Sequence, residues 1–270
     1  MLIKNIRNLI NKGWIDYELL EELPFLSGFA DKSKLRNLKD KFKGERCFII
    51  GNGPSLNQID LTKLNEEFSF GVNGIFYKTE ECGFKPTFYV VEDKHVLKDN
   101  LEKIKEYKTE YRFFPSIYRK NIKSSSKTIY FKMNRGFYEE SSPNFSMPRF
   151  STDASKRIYC GQSVTIINLQ LAYHLGFSKI YLVGMDFSYN IPDSAKVNGL
   201  EIESTEDDVN HFHPDYFGAG KKWHDPQLDK VLLSYKQSKL MFEAAGRKIV
   251  NATKGGNLNI FERVDFDSLF

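Results

Sequence analysis

The sequence predicts an α/β protein carrying a mostly parallel, doubly wound sheet. Three observations predict it. Short apolar runs recur from Cys47 to the carboxyl end, with charged, helix-compatible segments between several of them. The first run, "CFII", stops at Gly51-Asn52-Gly53-Pro54-Ser55, the turn chemistry expected where a buried strand leaves its sheet. Lastly, "GQSVTIINLQLAYHLGF" reads as a helix feeding directly into the apolar run of "SKIYLVGMDF".

Taken in order, residues 1–43 are expected to form an N-terminal helical appendage. Its opening "MLIKNIRNLI" alternates Leu and Ile with Lys, Arg and Asn at helical spacing, and it closes on the charged "KDKFKGE". Residues 44–270 are assigned to the sheet domain. Strands are expected within "RCFIIGNG", "FSFGVNGIF", "PTFYVVED", "YRFFPS", "TIYFKM", "KIYLVGMDF" and "RKIVNAT". Continuous apolar runs of this kind suit strands covered on both faces. In the long helix Val164, Ile167, Leu169, Leu171 and Leu175 supply the apolar positions and Gly176 is placed to stop it. The strand that follows ends in Gly-Met-Asp, which puts Asp186 on the same rim as the Gly51 turn. Open α/β sheets bind ligands at that rim. Residues 187–225 are polar without a sustained period and are read as a mobile lid; residues 226–245 read as a further helix.

Composition limits the function classes. With 41% hydrophobic and 14% aromatic residues in 270, the chain can bury a large core. Its 39 basic and 35 acidic residues are interspersed and net only +4, so no nucleic-acid partner is expected. Cys47, Cys82 and Cys160 are odd in number and far apart, which argues against a disulfide framework and for a reducing cytoplasm. No apolar run approaches the roughly 20 residues of a membrane span, and the opening lacks a signal-peptide core. The protein is therefore expected to be soluble and cytoplasmic. Its first helix reads either as packed on the domain or a partner chain, a homo-oligomer included, or as lying on the inner membrane face.

Several residues are candidates for chemistry. Gly51 and Gly53 let backbone approach a ligand, and Ser55 can cap a helix or offer its hydroxyl to a phosphate. The turn reads as a nucleotide site or as a tight turn before a helix; it lacks the Gly-Lys-Ser/Thr of a P-loop and the third glycine of the dinucleotide fingerprint. Asn73 in "GVNGIF" is a turn former or an amide that reads a base or sugar edge. Glu92 and Asp93 end the third run. Either carboxylate is suited to a ribose hydroxyl, a metal or base duty, against the reading of a solvated strand end. His211, His213 and His224 lack a Cys or carboxylate partner at fixed spacing, so no metal site is expected; a histidine acting in proton transfer or on a phosphate fits better. Tyr216 beside them is suited to a leaving phosphate. Lys221 and Lys222 form a solvated face or neutralise a diphosphate or acidic sugar. His174, inside the apolar helix, reads as structural.

The combination of "IIGNGPSL", "VNGIF" and "GQSVTIINLQLAYHLGFSKIYLVGMDFSYN" followed by a His/Tyr loop resembles two related bacterial families. One is the α-2,3/2,8-sialyltransferases of lipooligosaccharide synthesis; the other is the MptE-like family (DUF115), named after a 6-hydroxymethylpterin pyrophosphokinase, whose members often accompany glycan synthesis. The likeness covers roughly residues 45 to 255. It implies a Rossmann-like, GT-A-like variant fold with a lid, and a CMP-linked acidic sugar as co-substrate with a glycan or lipid-linked acceptor. Carried over, Asn52 and Ser55 of the Gly51–Gly53 turn would contact CMP phosphate or ribose, and Asn73 would sit at the nucleotide. Gln162, Ser163 and Thr165 would contact the donor, Asp186 would line the cytidine pocket and Tyr216 would bind the phosphate. No cofactor is then required; the alternative pyrophosphokinase reading uses ATP and magnesium on Glu92, Asp93 and Asp186. Where the sialyltransferases carry their catalytic His, "DYFGAG" has Ala219. The base role falls to His213, His211, Asp215 or His224. On this reading Asn52→Ala weakens nucleotide binding without lowering the melting temperature. A non-catalytic nucleotide-binding subunit is the remaining alternative.

Overall fold

The structure is a computed structural model that describes residues 29–270. The helix expected at the extreme amino end, and with it the membrane-contact reading, lies outside the described residues. From there the chain runs α1 (Phe29–Leu38), β1 (Arg46–Ile50), β2 (Ser69–Val72), α2 (Phe76–Cys82), β3 (Phe88–Val90), α3 (Lys94–Asp99), α4 (Leu101–Glu106), β4 (Tyr111–Pro115) and β5 (Thr128–Phe131). It continues through β6 (Met133–Asn134), β7 (Ile158–Tyr159), α5 (Val164–Leu175), β8 (Lys179–Val183), β9 (Lys196–Asn198), β10 (Glu201–Glu203), β11 (Lys222–His224), α6 (Leu228–Ala244), β12 (Lys248–Asn251) and β13 (Glu262–Arg263).

Eight of these strands form one parallel sheet in the order β13-β12-β8-β1-β2-β3-β4-β5. The chain steps outward from β1 to β5, crosses back to β8 on the other flank of β1, and steps outward again. The fold is thus the expected doubly wound, Rossmann-like α/β sheet, and its strand order reverses between β1 and β8. Those two strands pair along their whole length, from Arg46↔Lys179 to Ile50↔Val183.

Burial on both faces explains why the strands read as unbroken apolar runs. In β1, Cys47 and Ile49 join the core under α5, whereas Phe48 and Ile50 join the core on the opposite face with Tyr181 and Val183. A continuous run is two interleaved faces. Helix α5 begins and ends as its sequence indicates: the Ser163 hydroxyl accepts the Thr165 N–H (3.3 Å) as N-cap, and Gly176 adopts φ +98° beyond the last turn.

The described part of the expected amino-terminal appendage packs on the sheet. Leu35, Leu38 and Phe42 are buried in the sheet domain, and α1 packs on β5. The cause is the carboxyl end of α5, whose carbonyls need donors. Asp40 N–H donates to His174 O (3.0 Å), Phe42 N–H to Leu175 O (2.9 Å) and Gly44 N–H to Gly176 O (3.2 Å). The segment 40–44 thereby caps α5.

The segment 187–225, expected as an irregular lid, holds a small antiparallel sheet in the order β11-β10-β9. Its strands "KVN", "EIE" and "KWH" each alternate charged or polar with apolar, and Ile202 and Trp223 are buried beneath it. Three residues per strand is too short for a period to show in sequence. The Met133–Asn134 strand, read as a continuation of "TIYFKM", instead leaves the main sheet and pairs with β7.

His174 is structural, as its place in an apolar helix indicates. It is 1% exposed, its Nδ1 accepts the Ala154 N–H (3.2 Å), and its Nε2 therefore donates to Leu35 O (2.8 Å). Burial holds its pKa below the ordinary value, with the Leu35 bond and Asp153 opposing. The unfolded chain takes up this proton near pH 6.5 and the folded chain resists it, so stability is lost as pH falls below about 6.5. Urea unfolding is expected to show lower stability at about pH 5.5 than at about pH 7.5, with a smaller difference in His174→Gln.

Candidate functional site

The rim between β1 and β8 is built on a backbone contact. Gly51 N–H donates to Val183 O (2.8 Å) and Gly53 N–H to Gly184 O (3.0 Å), so the two strands stay paired into their turns. A Cβ on Gly51 would lie 2.5 Å from Gly184 O, and one on Gly184 would lie 2.6 Å from Gly51 O. Only glycine fits on either side. The contact sets Asp186 against the short 3₁₀ helix Pro54–Gln58, where its carboxylate accepts from Ser55 Oγ (2.7 Å) and Ser55 N–H (3.2 Å). Asp186 thus satisfies Ser55 from within the protein.

A cavity of about 770 Å³ opens from this rim. Of the sequence-indicated residues, Gly51, Asn52, Gly53, Asn73, Asp93 and Asp186 line it from the strand ends. Gln162, Ser163 and Thr165 line it from the start of α5, and His211, Tyr216 and His224 from the lid. Ser55, His213 and Asp215 are not among its lining residues. His213 instead stacks on the Tyr77 ring at 4.7 Å and accepts the Asp215 N–H at 3.1 Å.

Several of these side chains already have structural duties. Asn73 adopts φ +47° as a turn former, and its Oδ1 accepts the Glu92 N–H (3.3 Å). Asp93 caps α3, taking the N–H groups of His95 (2.7 Å) and Val96 (2.9 Å). Ser163 caps α5, and the Thr165 hydroxyl faces the Met185 sulfur at 3.4 Å. Gln162, at φ +68°, reaches Asp225 O at the end of the lid (3.4 Å).

Asn52 differs. Its Nδ2 donates to Val72 O (3.2 Å) and to the Tyr216 hydroxyl (2.8 Å), which fixes the amide's orientation because Val72 O can only accept. The Oδ1 is left buried without a partner among the described residues. Asn52 itself lines the cavity, so a ligand donor is the kind of partner this acceptor lacks.

On the lid, His211 Nδ1 meets Asp208 Oδ2 at 2.7 Å, and its ring stacks face to face on the Tyr216 ring at 4.1 Å, nearly parallel. Asp208 also accepts the Phe217 N–H (2.9 Å). Burial raises this carboxyl's pKa, but the His211 bond and charge outweigh it and hold it below the ordinary range. With Nδ1–H committed to Asp208, Nε2 is the free lone pair. Tyr216 is 3% exposed, and burial raises its pKa well above 10, so its hydroxyl stays protonated. That oxygen accepts from Asn52 and, more weakly, from Gly74 N–H (3.4 Å), which leaves its own proton for a ligand.

The cavity also contains groups the sequence did not single out, Arg135, Tyr138 and Lys230, and of the two carboxylates it did mark there, Glu92 is the one not used as a helix cap. Burial, and then the Asp93 charge, raise the Glu92 pKa to about 7, with Arg135 opposing. No spacing signal marks Arg135 or Tyr138. The helix-start pattern Asp93-Lys-His after a strand was a readable cap and pointed away from Asp93 as a ligand group.

Because Asn52 ties the turn to β2 and the lid, Asn52→Ala is expected to lower stability by about 1–3 kcal/mol in urea unfolding, contrary to the neutral outcome the sequence suggests. Gly51→Ala should cost more, since the added Cβ meets backbone that cannot yield.

Residues 19–192 match the family described as 6-hydroxymethylpterin diphosphokinase MptE-like. Among solved structures, the MAf glycosyltransferase of Magnetospirillum magneticum AMB-1 aligns with a TM-score of 0.47 at 13% identity, over 89% of this chain. The alignment covers 38% of that protein, so the chain spans well under half of its length. No curated protein matches the sequence.

Proposed function

The chain belongs to the 6-hydroxymethylpterin diphosphokinase MptE-like family, and we propose that it is a glycosyltransferase that moves a sugar from a nucleotide donor to a glycan acceptor. The donor in this reading is CMP-linked sialic acid or a related nonulosonate. The acceptor is a surface-polysaccharide or lipooligosaccharide chain, free or lipid-linked, met in the cytoplasm or at the inner membrane face. The observation that carries the reading is the Asp208–His211 pair stacked on Tyr216, which is itself bonded to the Gly51–Gly53 turn through Asn52. The cavity beneath, about 770 Å³, is within the range of small-molecule sites.

In the proposed reaction, His211 Nε2 takes the proton of the acceptor hydroxyl as its oxygen bonds to the anomeric carbon. The bond from that carbon to the phosphate oxygen breaks, and CMP leaves with the electron pair. Asp208 orients the imidazole and stabilises its protonated form. Tyr216 donates its free proton to the departing phosphate, and the amino end of α5 faces the same cavity with its positive dipole end. His211 therefore takes the place first given to His213.

The family's name favours a second reading, an ATP- and magnesium-dependent diphosphokinase. It would use Glu92, Asp93 and Asp186 as ligands, yet Asp93 is occupied as a helix cap and Asp186 by Ser55. Among the described residues no three His, Cys, Asp or Glu side chains are grouped to hold an ion.

A melting-temperature screen with CMP, CDP, UDP, GDP and ATP, each with and without magnesium, is expected to show a metal-independent rise with cytidine nucleotides. A rise with ATP plus magnesium alone would move the assignment to the diphosphokinase, and binding without turnover of any nucleotide sugar would leave a non-catalytic subunit. In transfer assays, His211→Ala should lower kcat by about 10²- to 10⁴-fold with CMP affinity nearly unchanged, whereas His213→Ala should stay close to wild type.

A further inference from the structure

The cavity holds a second cluster of charge away from the Gly51 turn. Glu92 follows β3, two strands from β1, which sets it on the order of 10 Å along the rim from the nucleotide turn. Its backbone is held on both sides: Asn73 Oδ1 takes its N–H at 3.3 Å, and the Tyr118 hydroxyl donates to its carbonyl at 2.5 Å. Only the side chain of Glu92 is uncommitted, and it lines the cavity. Arg135, just past β6, lines the same cavity, with its guanidinium 5.7 Å from the Tyr138 ring, and its charge acts on Glu92. Its Nε is buried and has no partner among the described residues. Glu92 and Arg135 sense each other's charge, but no hydrogen bond joins them.

A buried guanidinium nitrogen without an acceptor, beside a carboxyl that burial keeps readily protonated, is an incomplete site. An ionised carboxylate completes it: one oxygen accepts from Arg135, the other from the Glu92 O–H. A neutral hydroxyl would leave the guanidinium charge uncompensated. The geometry points to Glu92 and Arg135 as a subsite for the carboxylate of the transferred sugar, separate from the phosphate position at the Gly51 turn. This assignment rests on the nucleotide-sugar reading above, with the phosphate at β1 and the sugar extending toward β3.

Proton uptake follows from it. The groups facing Glu92 are Asp93 on its own turn, Arg135 and Tyr138 after β6, Tyr118 after β4 and Cys160 after β7. Burial raises the Tyr118, Tyr138 and Cys160 groups away from neutrality, whereas Glu92 itself is brought to about 7. The Glu92 proton is therefore the one that binding a carboxylate would retain.

The test measures affinities of the full chain for CMP, for CMP-3-fluoro-N-acetylneuraminate, and for the methyl ester of that sugar. The wild-type protein is expected to prefer the acid over the ester by about tenfold or more below pH 7, and to lose that preference as pH rises above about 7. Arg135→Ala should weaken the acid about 10- to 100-fold and leave CMP and the ester unchanged, with partial recovery in Arg135→Lys. Glu92→Gln, a permanent neutral donor, should keep the preference above pH 8. Equal affinity of wild type for acid and ester overturns the subsite while leaving CMP donors standing, and this comparison holds even if a variant fails to fold. Arg135→Ala weakening CMP as much as the acid would reassign the arginine to the phosphate. Failure of CMP itself to bind the wild-type chain overturns the donor assignment and this subsite with it.

Discussion

The site depends on one steric constraint, the contact of two peptide backbones at Gly51 and Gly184. Because neither position has room for a Cβ, β1 and β8 remain hydrogen-bonded beyond their nominal ends, and their turns leave in fixed relation. Asp186 is delivered onto the first turn of the Pro54–Gln58 helix, and Asn52 is delivered under the lid. A parallel sheet whose order reverses at this pair would have a crevice there in any case. The glycines make it narrow and rigid enough for an amide to bridge from the turn to a tyrosine on the lid.

Apolar burial holds the lid in place, and a few polar bonds set its register. Phe212, Tyr216, Phe217 and Trp223 are each less than 10% exposed, and Phe212 N–H donates to Asn52 O (2.9 Å). The apolar contacts are non-directional and give the closure its strength, whereas the Asn52 contacts give it one position. Burial of Asp208 and Glu92 is why the charge on each is sensitive to its neighbours. His211 has a carboxylate partner and Glu92 has a carboxylate neighbour. Opposite environments on the two sides of one cavity suit opposite duties, proton acceptance on the lid and neutral hydrogen bonding near β3.

The sheet was largely legible in the sequence, because buried parallel strands write themselves as unbroken apolar runs and α5 carries both its serine cap and its glycine stop. Seven of the eight strands of the main sheet fall within runs marked in advance. The two-residue β13 was not, nor was the lid sheet, since elements that short leave no periodicity. In the site, chemistry-bearing residue types were readable and their assignments were not. Nothing in "EDKH" says which carboxylate is left over until the backbone shows that Asp93 caps α3. Likewise His211 and His213 look equivalent in sequence. Their difference is Asp208, three residues ahead of His211, and the Tyr216 ring beneath it. Arg135 lies between short strands without any motif, and only tertiary structure brings it to Glu92.

The position of β1 in the sheet has a further meaning during synthesis of the chain. Its first neighbour, β2, is the next strand and begins at Ser69, but its second neighbour, β8, begins only at Lys179. Until then the emerging chain presents β1 as an open edge with Cys47 and Ile49 uncovered by α5, a template for pairing with the wrong strand. The half-sheet β1–β5 can collect its contacts locally, whereas sealing it requires closing a loop through the whole of β2 to α5. Nascent chains stalled before α5 would thus be the aggregation-prone species of this protein, and the long-range seam at the Gly51 rim would become native only once α5 and β8 have emerged.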